Sequence, residues 1–265
     1  MKRILLLITL ILACGAVVSC GVTGQAGISG RRVTVGVCKN GSSKTTIKYY
    51  KRCIRNAGAK PYFFPYYATT DEKAAEFMSS VDALIVPGKT GSDTTGRSKY
   101  DYKVIRAALA QGKPILGICL GHQEINRVYK GSIGLIPKHY PESGIKHMDK
   151  VDGKNVGLNS EAHAINIDTA SRLYRILGEE RVMVNTSHNY SITEVGEGLK
   201  VVATGDDRVI EAIEDNSRNV MGVQFHPEYL YGKFKIKRFR AIFKNLVEEA
   251  KTVKREKRNH ALKTN

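Results

Sequence analysis

Short β-branched and aliphatic runs alternate with helix-length segments along this chain, and that alternation restricts its fold more than any other feature. Residues 32–37 (RVTVGV) read as a strand. Residues 45–56 carry Ile47, Tyr50 and Ile54 at helical spacing, with Gly58 as the stop. Further strands are expected at 61–64, 81–86 and 114–118. Helices over 70–77 and 100–111 separate them, and another over 121–129 follows the fourth strand. Strands apolar on both faces and joined through helices need right-handed crossovers. The expected fold class is therefore α/β, a three-layer sandwich with a mostly parallel central sheet. Strands at 164–167, 182–184, 199–203, 209–213 and 220–225 and a last helix over 234–250 complete one domain. Residues 130–160, punctuated by Gly131, Gly134, Pro137, Pro141 and Gly144, read as a loop with short strands.

The first residues read as an address rather than as structure. Lys2 and Arg3 precede an uncharged run over 4–18, too short for a membrane span of about 20 apolar residues. The run ends Val-Val-Ser-Cys20-Gly, which is similar to a bacterial lipoprotein cleavage box. The expected organisation is a signal peptide over 1–19, a lipidated Cys20 with a flexible tether to 31, the domain over 32–250, and a solvated basic tail over 251–265. Such a chain would be an exported lipoprotein of the bacterial cell envelope, held at a membrane by its lipid anchor. Forty-two Lys and Arg against 25 Asp and Glu give a formal charge of +17, which favours anionic surroundings without defining chemistry. Cys38, Cys53 and Cys119 remain in the body, and Cys38 and Cys53 are a possible pair.

The most specific local signal is Gly117-Ile118-Cys119-Leu120-Gly121, placed between an apolar strand and a helix. A sharp strand-to-helix turn of this kind lifts one side chain above the sheet, and only residues without bulk can crowd beside it. The amide of Leu120 would then face a developing oxyanion, and the helix start would favour a thiolate. The second signal is His226-Pro227-Glu228 beyond the strand at 220–225. A base and a carboxylate to orient it stand there two residues apart across a stiff proline.

These motifs, with Pro87-Gly88, Lys113–Gln123, Val184–His188, Asp207 before Val209–Ile213, and Gly222–Glu228, stand in the order and spacing of a known group. The chain resembles the class I glutamine amidotransferase-like superfamily of flavodoxin-like folds. Within it the chain resembles the γ-glutamyl hydrolase branch known as peptidase family C26. The resemblance implies a Cys–His–Glu triad of Cys119, His226 and Glu228 that cleaves γ-glutamyl amide bonds through a γ-glutamyl thioester. It also implies oxyanion and substrate contacts from Gly88, Lys89, Leu120, Gln123 and His188. Lys89 stands where the family has a second glycine, and Asn189 and Tyr190 depart from the family's His-Gln.

The implied partners are small γ-glutamyl compounds, with no cofactor and no obligate synthase. The alternatives are a glutaminase or other thiol amidase of the same fold, and a binding lipoprotein without turnover. Metal chemistry is not expected, because the seven histidines are scattered and neither HExxH nor paired CxxC occurs. Nucleic acid is not an expected partner either, since the positive charge is diffuse outside the tail.

Overall fold

The computed structural model describes residues 31–264 apart from 40–42, 65–69, 89–94, 149, 152–153 and 156. The expected signal peptide over 1–19 and Cys20 lie outside the described residues, as does Lys89. Residues 32–265 form one compact unit.

The alternation expected from the sequence is present through the first half. In order come β1 (Thr34–Cys38), α1 (Lys44–Asn56), β2 (Lys60–Phe64), α2 (Asp71–Ser80), β3 (Ala83–Val86), α3 (Thr95–Ala110), β4 (Ile115–Ile118) and α4 (Leu120–Val128). Helix starts follow side-chain capping. Ser43 accepts from the Thr46 amide ahead of α1, and Thr70 accepts from the Lys73 amide ahead of α2. The second half is strand-rich: β5 (Ser132–Leu135), α5 (Ile136–His139), β6 (Lys150–Val151), β7 (Lys154–Asn155), β8 (His163–Ile167), α6 (Arg172–Leu177) and β9 (Arg181–Val184). Then follow β10 (Tyr190–Glu194), β11 (Lys200–Gly205), β12 (Ile210–Asp215), β13 (Val220–Val223), α7 (Pro227–Gly232) and α8 (Arg240–Thr264).

The main sheet runs β2-β1-β3-β4-β13-β12-β11-β8-β9. Its central strands β1, β3, β4 and β13 pair in parallel, as does β2 at one edge, while β12, β11, β8 and β9 continue it antiparallel. This is the three-layer α/β sandwich expected from the alternation of strands and helices. Successive residues of one strand serve opposite layers: Leu116 and Ile118 pack with Phe225, Phe239 and Phe243, while Ile115 packs with Tyr100, Val104 and Ile105. β10 pairs instead with β5 in a separate two-stranded sheet, which sequence periodicity did not separate from the loop around it.

One open pairing is settled here and one expectation changes. Cys38 and Cys53 are both buried and are not joined by a disulfide. The basic segment over 251–264, expected as a frayed tail, continues α8 as helix to Thr264. Its Lys254 reaches Asp82 at 3.3 Å and its Lys257 donates to the Gln111 carbonyl at 2.5 Å, so the charge run partly lies along the fold. Among the described residues no helix is long and apolar enough to cross a membrane.

Candidate functional site

The bend after β4 is made by one residue. Cys119 has φ 53° and ψ −106°, a backbone conformation that costs an L-residue about 1–3 kcal/mol. It is held by its amide, which donates to the Val223 carbonyl at 2.8 Å, and by its carbonyl, which accepts from the Gln123 amide at 3.2 Å. The flanking glycines have a steric reason. A Cβ on Gly121 would fall 2.0 Å from the Val86 carbonyl oxygen, and one on Gly117 would fall 2.6 Å from the Gly121 carbonyl oxygen. Leu120 opens α4, so its N–H belongs to the first turn and has no acceptor within the helix.

Gly88, at the end of β3, completes the meeting point. A Cβ there would lie 2.6 Å from His226 Cε1 and 3.1 Å from Cys119 Cβ, so Gly88, Cys119 and His226 converge. His226 stands just past β13, and Pro227 opens α7 behind it. Its Nδ1 is 2.9 Å from Glu228 Oε1, and the Tyr50 hydroxyl donates to the same oxygen at 3.0 Å. Burial opposes a charge on His226, but Glu228 and the Cys119 sulfur outweigh it and push its pKa up to about 10.

Asn185 fixes the backbone of His226. Its side-chain oxygen accepts from the His226 amide at 2.9 Å, and its nitrogen donates to the His226 carbonyl at 3.2 Å. Asn185→Ala removes both bonds in a buried setting. We expect a loss of about 1–3 kcal/mol of stability in urea denaturation, with the overall fold retained by circular dichroism.

Gln123 and His188 are both engaged by neighbouring groups. The Gln123 side-chain nitrogen donates to the Tyr190 carbonyl and to Gln224 Oε1, both at 2.9 Å, which braces α4 against β10 and the end of β13. The His188 ring puts Nδ1 3.0 Å from the Tyr190 carbonyl and aims Nε2 at Glu211 Oε1, 3.6 Å away.

That carboxylate is the centre of a cluster no motif announced. Glu211, fully buried on β12, faces His147 Nδ1 at 3.6 Å and His163 Nε2 at 3.7 Å. His147, His163 and Glu211 each offer a ligand atom within 4.8 Å of the others, and no cysteine belongs to the group. The cluster adjoins His226, because the Gln224 amide, two residues before it, donates to the Glu211 carbonyl at 2.8 Å. Burial pushes the Glu211 carboxyl up to about 7 although His163 and His147 pull it down, and burial lowers His188 to about 4. A usable sequence signal did exist. Glu211 interrupts the apolar run over 209–213, and His163 precedes the one over 164–167, so both had to be buried or satisfied.

This finding corrects the sequence-based reading. A cysteine-dependent γ-glutamyl hydrolase, working through a thioester on a Cys119–His226–Glu228 triad, is overturned by the buried cluster. A buried ionisable centre lies on His147, His163 and Glu211. A triad acting alone leaves their unpaired atoms without a use.

Comparison with known proteins bears on the family. The profile described as Peptidase C26 matches residues 25–228, most of the chain. A glutamine amidotransferase-like protein of Lactococcus lactis is 31% identical over 59% of this chain and 70% of its own. One of Rickettsia prowazekii is 28% identical over 68% of this chain and 81% of its own. The crystal structure of a Thermoplasma acidophilum protein described as a GMP synthase subunit superposes with a TM-score of 0.66 at 18% identity. It covers 86% of this chain and 99% of that one, and it shows the shared fold. The lipoprotein and membrane-anchor expectations find no support in these comparisons.

Proposed function

Because the chain belongs to the peptidase C26 family, we propose that it receives small glutamine- or glutamate-like compounds at the strand ends around Cys119 and His226. We read it as an amidase of the glutaminase type. The observation that carries this reading is the convergence of Gly88, Cys119 and His226 on one point, with His226 held by Asn185 and Glu228. In this reading the ligand's carboxamide lies against Cys119, and its oxygen faces the first-turn amide of Leu120. Water attacks the carboxamide carbon in this reading. His226, its Nδ1 committed to Glu228, gives its Nε2 proton to the leaving nitrogen and takes one from the water, so that the C–N bond breaks to a carboxyl group and ammonia. γ-Glutamyl compounds belong to the same ligand class, since they present the same carbonyl.

The test is alkylation of Cys119 by iodoacetamide, mapped by mass spectrometry, together with ammonia release from L-glutamine. Saturable protection of Cys119 by L-glutamine, and ammonia release that is abolished in His226→Ala, are expected. Neither protection nor ammonia would remove the reading. We also propose export to the cell envelope, on the strength of Lys2, Arg3 and the uncharged run over 4–18. Fractionation of cells expressing the chain with and without residues 1–19 checks it.

A further inference from the structure

We propose that His147, His163, His188 and Glu211 hold a divalent transition-metal ion of the zinc class. Four observations carry this, and none depends on the amidase reading. First, three imidazole nitrogens converge on one carboxylate oxygen, at 3.6 Å from His147 Nδ1, 3.7 Å from His163 Nε2 and 3.6 Å from His188 Nε2. Those distances are too long for hydrogen bonds. They sit close to the edges of a tetrahedral site, about 3.3–3.5 Å when metal–ligand bonds are about 2.0–2.1 Å.

Second, His147 Nδ1, His163 Nε2, His188 Nε2 and both Glu211 oxygens are buried without a hydrogen-bond partner. A native interior seldom leaves so many polar atoms facing one another unpaired.

Third, the opposite nitrogen of each imidazole is already engaged. His147 Nε2 lies 2.7 Å from Asp207, His163 Nδ1 3.1 Å from the Ala164 carbonyl, and His188 Nδ1 3.0 Å from the Tyr190 carbonyl. An acceptor on the far nitrogen fixes the tautomer and points the lone pair inward, which is how protein metal ligands are oriented. Asp207 is in turn held by Ser143 and by the Val209 amide.

Fourth, the donor set of three imidazoles and a carboxylate suits zinc or its neighbours rather than calcium or magnesium, which prefer all-oxygen shells. The ligands come from β8, β12, the segment between α5 and β6 and the segment between β9 and β10, so only the folded chain assembles them.

The test uses the full chain, stripped with a chelator and titrated with ZnCl2 and CoCl2 under competition. Expected are about one zinc per chain, a four-coordinate visible cobalt spectrum, and a rise in Tm with zinc. Glu211→Gln and His163→Ala should abolish stoichiometric binding. Asp207→Asn should weaken it about 10–100-fold. Cys119→Ala and His260→Ala should bind as wild type. Absence of stoichiometric zinc or cobalt in the wild-type chain overturns the proposal. So does unaltered binding in Glu211→Gln, or loss of binding in Cys119→Ala, which would place the metal on thiols. If Glu211→Gln or His163→Ala fails to fold, the graded loss in Asp207→Asn and the wild-type cobalt spectrum decide. An amidase test that fails while one zinc still binds leaves this site standing, and the reverse result removes it alone.

Discussion

Gly121→Ala should be strongly destabilising. The added methyl would sit 2.0 Å from the Val86 carbonyl oxygen and 2.9 Å from the Val86 Cβ, far inside contact distance. Neither neighbour can swing away, because Val86 ends β3 at the middle of the sheet and Gly121 is in the first turn of α4. Overpacking a core against flexible side chains costs about 1–3 kcal/mol, and a clash with backbone should exceed that range. We expect a loss of about 3 kcal/mol or more, a large part of a domain's total stability. Urea denaturation and the soluble yield check this. Gly112→Ala is the comparison: its φ is +58° but nothing lies within 4 Å of the added Cβ, so it should cost only about 1 kcal/mol.

Glu228→Gln should be the second large effect. His226 and Glu228 form a buried pair 2.9 Å apart, at 5% and 1% exposure. Breaking a buried pair by removing one charge costs about 3–5 kcal/mol, because the remaining charge stays desolvated. The pH dependence follows from the direction of the shift. Burial disfavours the imidazolium, but Glu228 and Cys119 raise the folded pKa to about 10 from an ordinary value near 6.5. The stabilisation is therefore fully present below the unfolded pKa and is lost as pH rises through about 10. The stability gap between wild type and Glu228→Gln should be widest at pH 6 and narrow toward pH 10. A gap of constant size over that range would contradict the charged-pair account.

Much of the architecture was legible along the chain. Alternating apolar runs and capped helices placed β1, β3, β4 and α4 to within a few residues, since period and punctuation are local properties. Gly117 and Gly121 pointed to the tight bend for the same reason, before the contact that requires them was visible. The antiparallel half was harder. β10 leaves the main sheet to pair with β5, a choice made by packing 55 residues away in sequence, from Leu135 to Tyr190. The end of α8 was misjudged because charge alone suggested fraying, whereas Lys254 and Lys257 find partners beside β3 and just past α3.

The candidate site divides in the same way. His226 and Glu228 are two apart and were legible as a pair, because a proline between them makes their geometry local. His147, His163, His188 and Glu211 span 64 residues and share no spacing rule, so a linear reading scattered them. Sequence by itself determined the α/β class, the family and the strained bend at Cys119, because each rests on neighbours in the chain. Tertiary structure alone decided what surrounds Glu211, because antiparallel pairing of β12 and β8 through β11 brings distant imidazoles to one buried carboxylate.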